Sequence, residues 1–313
     1  MHISLVDEVA ELLNISNDSA YRRIRGEKPL GLDELQVLCN KFQVSLDQLL
    51  HIQNNTVIFS GNRIDKDTFN LTQYLQYVAS QLAMIKSIAG SHFYFYNKDI
   101  PIFHFMPFPA LSAFKFFFWK RTVIGYPELT KQQFAGGEND ADNVEAGKKM
   151  IELYSQIPST EIWNEESVHA TIRQIEFYRQ SNIFTDNQVV LKVYQELENL
   201  LTHIELQAES GKKFLHNQQI SSTAGSYDIY INECLIGDNT IYVKGDNRQI
   251  TFLNHNGLNF LGTQDKSFCD YTFMNLQNIM KKSTLISRAS EKERSMFFNT
   301  LREKIHERMK TIS

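Results

Sequence analysis

Apolar positions near the start of the chain recur three and four residues apart. In LVDEVAELL, Leu5, Val9, Leu12 and Leu13 fall on one side, the spacing of a one-sided helix. Asn14-Ile15-Ser16 interrupts it, and Ser16 is placed to cap a second helix that runs to Arg25 and stops at Gly26, with Pro29 shortly beyond. LDELQVLCNKF repeats the pattern with Leu32, Leu35, Leu38, Cys39 and Phe42 on one face, and Ser45-Leu46-Asp47-Gln48 is a capping-box pattern that opens a last short helix. The polar stretch NNTVIFSGNRIDKD carries no long period and reads as a linker. These breaks predict a small domain over 1–53, a linker over 54–70 and a second domain over 71–313.

The second region mixes periods. Leu71, Leu75, Val78, Leu82, Ile85 and Ala89 step by four and three in alternation, a heptad seam. HFYFYNKDIPIFHFM predicts two short strands around an Asn97-Lys98-Asp99 turn, and FPALSAFKFFFWKRTVI an aromatic helix. After the polar loop GGENDADN, helices are predicted near 145–157, 166–181 and 187–208. The last opens on a Thr185-to-Gln188 capping box and carries a second seam, Val190, Val193, Leu197, Leu200 and Ile204. Strands return at YDIYI, TIYVKG and RQITFLN, the last two forming a hairpin across Gly245-Asp246-Asn247. Helices near 267–282 and 290–310, the latter with a Ser290–Glu293 box, close the chain. The fold class this predicts is α+β: a small all-α unit followed by a larger, helix-rich mixed α/β regulatory domain of GAF- or PAS-like type.

Composition narrows the function. The 313 residues suffice for two domains. A net charge of −4 supplies no global basic field, which argues against non-specific nucleic-acid binding while leaving room for a small DNA-reading unit beside an acidic partner domain. Cys39, Cys234 and Cys269 are scattered and form no C-x-x-C pair, as expected of reduced thiols in the cytoplasm. MHISLVDEVAELL has no basic flank and does not resemble a secretory signal. Lys115, Lys120 and Arg121 interrupt the apolar run Phe114–Tyr126, which falls short of the ~20 residues of a membrane span and reads as a buried helix.

Chemistry-bearing motifs are sparse in this second region. His92 and His104 have no Cys, Asp or Glu at metal-ligand spacing, and ENDAD lacks the order of a calcium loop, so no metal site is expected. The sequence shows no serine elbow, phosphate loop, dinucleotide fingerprint or paired-acid motif, so neither an enzyme nor a cofactor is expected. The dense aromatic set between Phe93 and Trp119 reads as core, with a ligand cavity lined by some of its rings as the alternative.

The informative segment is VAELLNISNDSAYRRIRGEKPLGLDELQVLCNKFQVSLDQLL. It resembles the Cro/repressor-type (XRE-type) helix-turn-helix family. VAELLNIS matches the supporting helix and turn, NDSAYRRIRGEKP the recognition helix and its stop, and LDELQVLCNKFQVSLDQLL the last two helices with their V-S-x-x-x-L-L ending. The resemblance implies that the second helix enters the major groove of double-stranded DNA. It places Asn17, Asp18, Ser19 and Arg22 nearest the bases, Tyr21, Arg23, Arg25 and Lys28 at the backbone, and Ala20 and Ile24 in the small core.

The family has a helix ahead of the supporting one, whereas only MHIS precedes it here. Residues upstream, or cover from another segment, are therefore expected over Val9, Leu12, Leu13 and Leu38. The expected protein is a cytoplasmic, non-membrane transcriptional regulator. It is expected to act as a homodimer and to be controlled by a small-molecule or peptide effector; the seams Leu71–Ala89 and Val190–Ile204 either join the two copies, the first being the better candidate, or are buried within their own domain. The alternative is a protein- or peptide-interaction module in which the helix-turn-helix serves assembly.

Overall fold

The chain divides after Ile58 into two units, Met1–Ile58 and Phe59–Ser313. The computed structural model describes residues 4–312 apart from 43, 45, 47–55, 62, 63, 65, 68, 138–140 and 235–238. The Ser45–Gln48 capping box, the Leu49-Leu50 ending and the Glu138-Asn139-Asp140 part of the acidic loop lie outside the described residues.

In the first unit, α1 (Leu5–Leu13), α2 (Asn17–Ile24) and α3 (Leu32–Phe42) follow the predicted periodicity. Ser4 caps α1, its hydroxyl accepting the Asp7 N–H at 3.2 Å, and Asn14 ends the helix in the left-handed region at φ +51°. Ser16 caps α2 as expected, accepting the Ser19 N–H at 3.3 Å. Val9, Ala10 and Ala20 form the core, with Val6, Leu13, Ile15 and Leu38 packed against them. Ala20 is fully buried, its small side chain letting the two helices approach. Leu12, Leu13 and Leu38 are only half-buried, and Ile24, expected inside, is 44% exposed because Arg23 takes the inward position on the last turn.

In the second unit, α4 (Leu71–Ser87) precedes β1 (His92–Tyr96), and α5 (Pro109–Phe118) and α6 (Ala141–Gln156) lead to β2 (Ser159–Trp163). α7 (His169–Gln180) and α8 (Asn187–Ser210) then lead to β3 (Tyr227–Ile231). β4 (Thr240–Lys244), β5 (Gln249–Asn254), β6 (Phe260–Thr263), α9 (Lys266–Lys281), β7 (Thr284–Leu285) and α10 (Glu291–Lys310) complete the chain. The strands form one mixed sheet in the order β6-β5-β4-β1-β2-β3-β7. β1, β2 and β3 are parallel and joined by helical crossovers, whereas β4, β5, β6 and β7 pair antiparallel. The overall class is α+β.

Several local expectations need correction. β2 was not predicted: all five residues of STEIW are buried, so no period-2 alternation betrays it. The second strand expected after the Asn97 turn is a 3₁₀ turn over Ile102–Phe105; Phe103, His104 and Phe105 are buried in succession, which suits a tight turn following Pro101. Asp186, rather than Thr185, caps α8, its carboxylate accepting N–H groups from Gln188 and Val189 at 2.8 and 3.0 Å. Ser290 adopts φ +60° and makes no side-chain cap. Ser60 bridges Gly262 on the edge of β6, so this part of the expected linker belongs to the second unit.

The second seam is interior and so is most of the first, although Val78 is half-buried on a cavity wall and Ala89 lies exposed beyond α4. Leu71, Leu75, Leu82 and Ile85 of α4 join a core with β1 and α6, and Val190, Val193, Leu197, Leu200 and Ile204 of α8 are at most 1% exposed. A heptad of apolar residues serves either purpose, and here each seam is used up within its own domain.

At the centre of the sheet, Glu161 of β2 is fully buried. His104 Nε2 lies 2.9 Å from one carboxylate oxygen, which also accepts the Tyr154 hydroxyl, and Trp163 Nε1–H donates to the other at 2.8 Å. Burial alone would raise the Glu161 carboxyl, but His104, Tyr154 and Trp163 outweigh it and hold the group below its ordinary range. The Lys213 ammonium position lies 3.5 Å from the centre of the Tyr154 ring with no hydrogen-bond partner among the described residues, and burial pushes its pKa well below the usual lysine value.

Burial also lowers His92 and His203 from 6.5 to about 4. Both imidazoles are neutral in the fold and take up protons on unfolding. Their stabilisation is therefore complete above pH 6.5 and is lost as pH falls from 6.5 towards 4. The urea midpoint of the second unit is expected to drop between pH 7.5 and 4.5, with a loss on the order of 5 kcal/mol for the pair. His203→Gln should flatten the profile, and a midpoint unchanged over this range contradicts the buried neutral state.

Candidate functional site

α2 presents its outer face through a short, capped helix. Asn17, Asp18, Tyr21, Arg22, Arg25 and Lys28 are exposed and Ser19 is half-buried. The Asn17 carboxamide donates to Asp7 at 2.8 Å, tying the start of α2 to α1. Arg25 lies 5.5 Å from the centre of the Tyr21 ring. Glu27 sits 4.0 Å from Arg22 and 3.4 Å from Arg25, but these guanidinium side chains are 53% and 58% exposed. Such pairs are weak, and both cations remain available to a stronger anionic partner. The face thus offers three cations, with Asp18 and Glu27 between them.

Arg23 departs from the expected phosphate contact. Its side chain is 7% exposed and forks onto Glu34 of α3, with Nε and Nη2 donating at 2.9 and 2.6 Å, while Nη1 donates to the Ser19 carbonyl at 3.2 Å. Glu34 also accepts the Gly31 N–H at 3.1 Å. Arg23 and that N–H hold the Glu34 carboxyl below its usual range. The guanidinium is a clasp between α2 and α3. Sequence reasoning missed Glu34, whose only signal is a carboxylate near the start of the following helix.

Residues 4–82 match the BetR domain, a family of helix-turn-helix-like DNA-binding domains. The match takes in all three described helices of the first unit, so the N-terminal helix-turn-helix expectation stands. It covers about a quarter of the chain and runs on through Leu82 of α4. No curated protein and no solved structure matches the chain.

The BetR match thus ends on a helix that walls a second feature, a cavity of about 610 Å³ in the second unit. One wall is the sheet face made by Phe95 of β1, Ile241 of β4 and Phe252 of β5, which are in register, with Phe93 two residues away on β1. Gly262 of β6 continues this row; a Cβ there would meet the Phe252 ring at 3.0 Å. The opposite wall is a stripe of α4: Tyr74, Val78, Gln81, Leu82 and Ile85. Of the aromatic set, Phe93, Phe95, Phe103, Phe105, Phe118 and Trp119 line the cavity, whereas Phe114 belongs to the other core.

Among the described residues no group of three or more His, Cys, Asp or Glu side chains is placed to hold a metal, and no described helix is long and apolar enough to cross a membrane.

Arg22 and Arg23 should separate cleanly by mutation. Arg23→Ala is expected to lower the melting midpoint of the first unit by roughly 3–6 °C. Arg22→Ala should leave the midpoint unchanged. Circular dichroism melts of the full chain check this, and equal effects of the two substitutions would contradict the clasp.

Proposed function

We propose that the chain is a sequence-specific transcriptional regulator of Cro/repressor (XRE) type. It reads double-stranded DNA with α2 and is switched by a small-molecule effector through its second unit. It acts in the cytoplasm by binding rather than catalysis. The observation that carries this reading is the exposed outer face of α2, held against α1 by Asn17 and against α3 by Arg23, within the BetR match. In this reading Asn17, Asp18, Ser19 and Arg22 approach base edges. Tyr21, Arg25 and Lys28 hold phosphates, and Arg23 positions the helix from behind.

Switching through the second unit is supported by the position of α4. Its first turns end the BetR match, and its inner stripe walls the cavity. A ligand that favours one position of α4 shifts the population of the whole regulator towards that state. One short helix reads few base pairs, so we propose a homodimer on two half-sites about one DNA turn, ~34 Å, apart. Its contacts lie on surfaces other than the two buried seams.

DNA selected from a random pool by the full chain supplies the operator for the decisive assay. Arg22→Ala should then weaken operator binding by roughly 1–3 kcal/mol and relax discrimination at one position. Arg25→Ala or Lys28→Ala should weaken all sequences alike and reduce the slope of affinity against salt. Fluorescence anisotropy across a salt series reads both effects. A full chain with no salt-dependent affinity for any DNA defeats the regulator reading. Sedimentation on and off the operator tests the dimer, which a strict monomer in both states rules out.

A further inference from the structure

The cavity is a slot with unlike ends. Its long walls, the inner stripe of α4 and the sheet face it covers, are largely hydrocarbon and aromatic ring. Past the end of β1 the lining is polar, with Asn97, Asp99, Gln174 and Asn239, and further polar groups come from Asn70, Gln73 and Gln81 on the side of α4 and from Asn254 and Asn259. Hydrogen bonds hold this group together: Asn239 accepts the backbone N–H groups of Lys98 and Asp99 at 2.8 and 3.3 Å. The buried Lys115 side chain donates to Gln174 at 2.9 Å and to Asp99 at 3.3 Å. The Asn97 side chain is different. Asn97 is 8% exposed, lines the cavity, and its carboxamide has no hydrogen-bond partner among the described residues. Its polar atoms are open to the cavity and are free to bond a group that enters it.

Charge decides what that something is. Asp99 is the one charged side chain among the described residues that line the slot, and Lys115 behind it cancels its charge. An anionic head would be desolvated beside a carboxylate, and a cationic head would find a carboxylate already paired. An uncharged head that both donates and accepts suits Asn97, whose carboxamide does both. At ~30 Å³ per water-sized group, the slot has room for on the order of 20 such groups.

We propose that this slot binds an uncharged, single-chain amphiphile. Its hydrocarbon chain lies between α4 and the sheet, and a hydroxyl or amide head bonds to Asn97. The proposal rests on the effector-controlled reading only for its biological purpose; the binding itself is independent of DNA.

The test titrates the full chain with 1-dodecanol, dodecanoate and dodecyltrimethylammonium at pH 8, below the solubility limit of the alcohol and the micelle concentrations of the two ions, by calorimetry and tryptophan fluorescence. Trp119 lines the slot, whereas Trp163 belongs to the other core. Saturable dodecanol binding, at least tenfold tighter than either charged analogue and accompanied by a fluorescence change that Trp119→Phe abolishes, is the expected result. Val78→Trp, which fills the slot from α4, should weaken dodecanol at least tenfold in a protein with an unchanged circular-dichroism spectrum. Asn97→Leu should reduce the preference for alcohol over carboxylate. Dodecanoate binding as tightly as the alcohol overturns the assignment of the head. Absence of saturable binding by all three, or binding indifferent to Val78→Trp in a folded protein, overturns the site. Operator affinity of the same ligand-free preparation is measured alongside, so that a failed regulator and a failed slot are told apart.

Discussion

The second unit is organised around the cost of burying one carboxylate. An ionised group inside a sheet loses several kcal/mol of hydration, and geometry must return it. For Glu161 the return comes from a 3₁₀ turn, a helix and its own strand, through His104, Tyr154 and Trp163. Lys213, from the segment after α8, then stacks on Tyr154. These elements arrive by different crossovers, and each must be in place before the charge is satisfied. A slip of β2 by one residue would turn Glu161 towards α9 and away from every partner. The parallel register of β1, β2 and β3 is thus pinned by electrostatics as well as by hydrophobic packing.

Much of the chain was legible where one face meets solvent. α1 and α2, with Ser16 and Gly26 as start and stop, announce themselves by spacing, and the β4–β5 hairpin by its turn residues. Legibility failed where burial is two-sided or where a partner is distant. β2 mixes polar and apolar residues because Thr160 and Glu161 find hydrogen-bond partners inside the protein. Successive helical residues point about 100° apart, so Arg22 and Arg23 differ in direction though not in chemistry. Nothing local tells which of the two turns inward; the answer lies in Glu34 on the next helix. The seams were read correctly as apolar stripes, but a stripe does not name what covers it.

The cavity was the least legible feature, because its walls come from remote parts of the chain. The aromatic residues around Phe93 gave one wall, but Phe252, Gly262 and Asn239 acquire meaning only when the sheet sets them beside β1. Asn97 looked like a turn residue and is instead a buried amide on the cavity wall. The stripe of α4 that faces it is interleaved with the positions that build the core, so one helix carries two sets of obligations.

The bridge between Ser60 and Gly262 spans roughly 200 residues of chain. At synthesis rates of about 5–20 residues per second, tens of seconds pass between the two ends of that contact. The strands that complete the slot are made well after α1, α2 and α3. A growing chain therefore finishes α1, α2 and α3 long before the cavity of the second unit. Until β4, β5 and β6 arrive, the apolar side of β1 and the inner stripe of α4 have no sheet to close against, and this is the interval in which the chain is most exposed to misassociation.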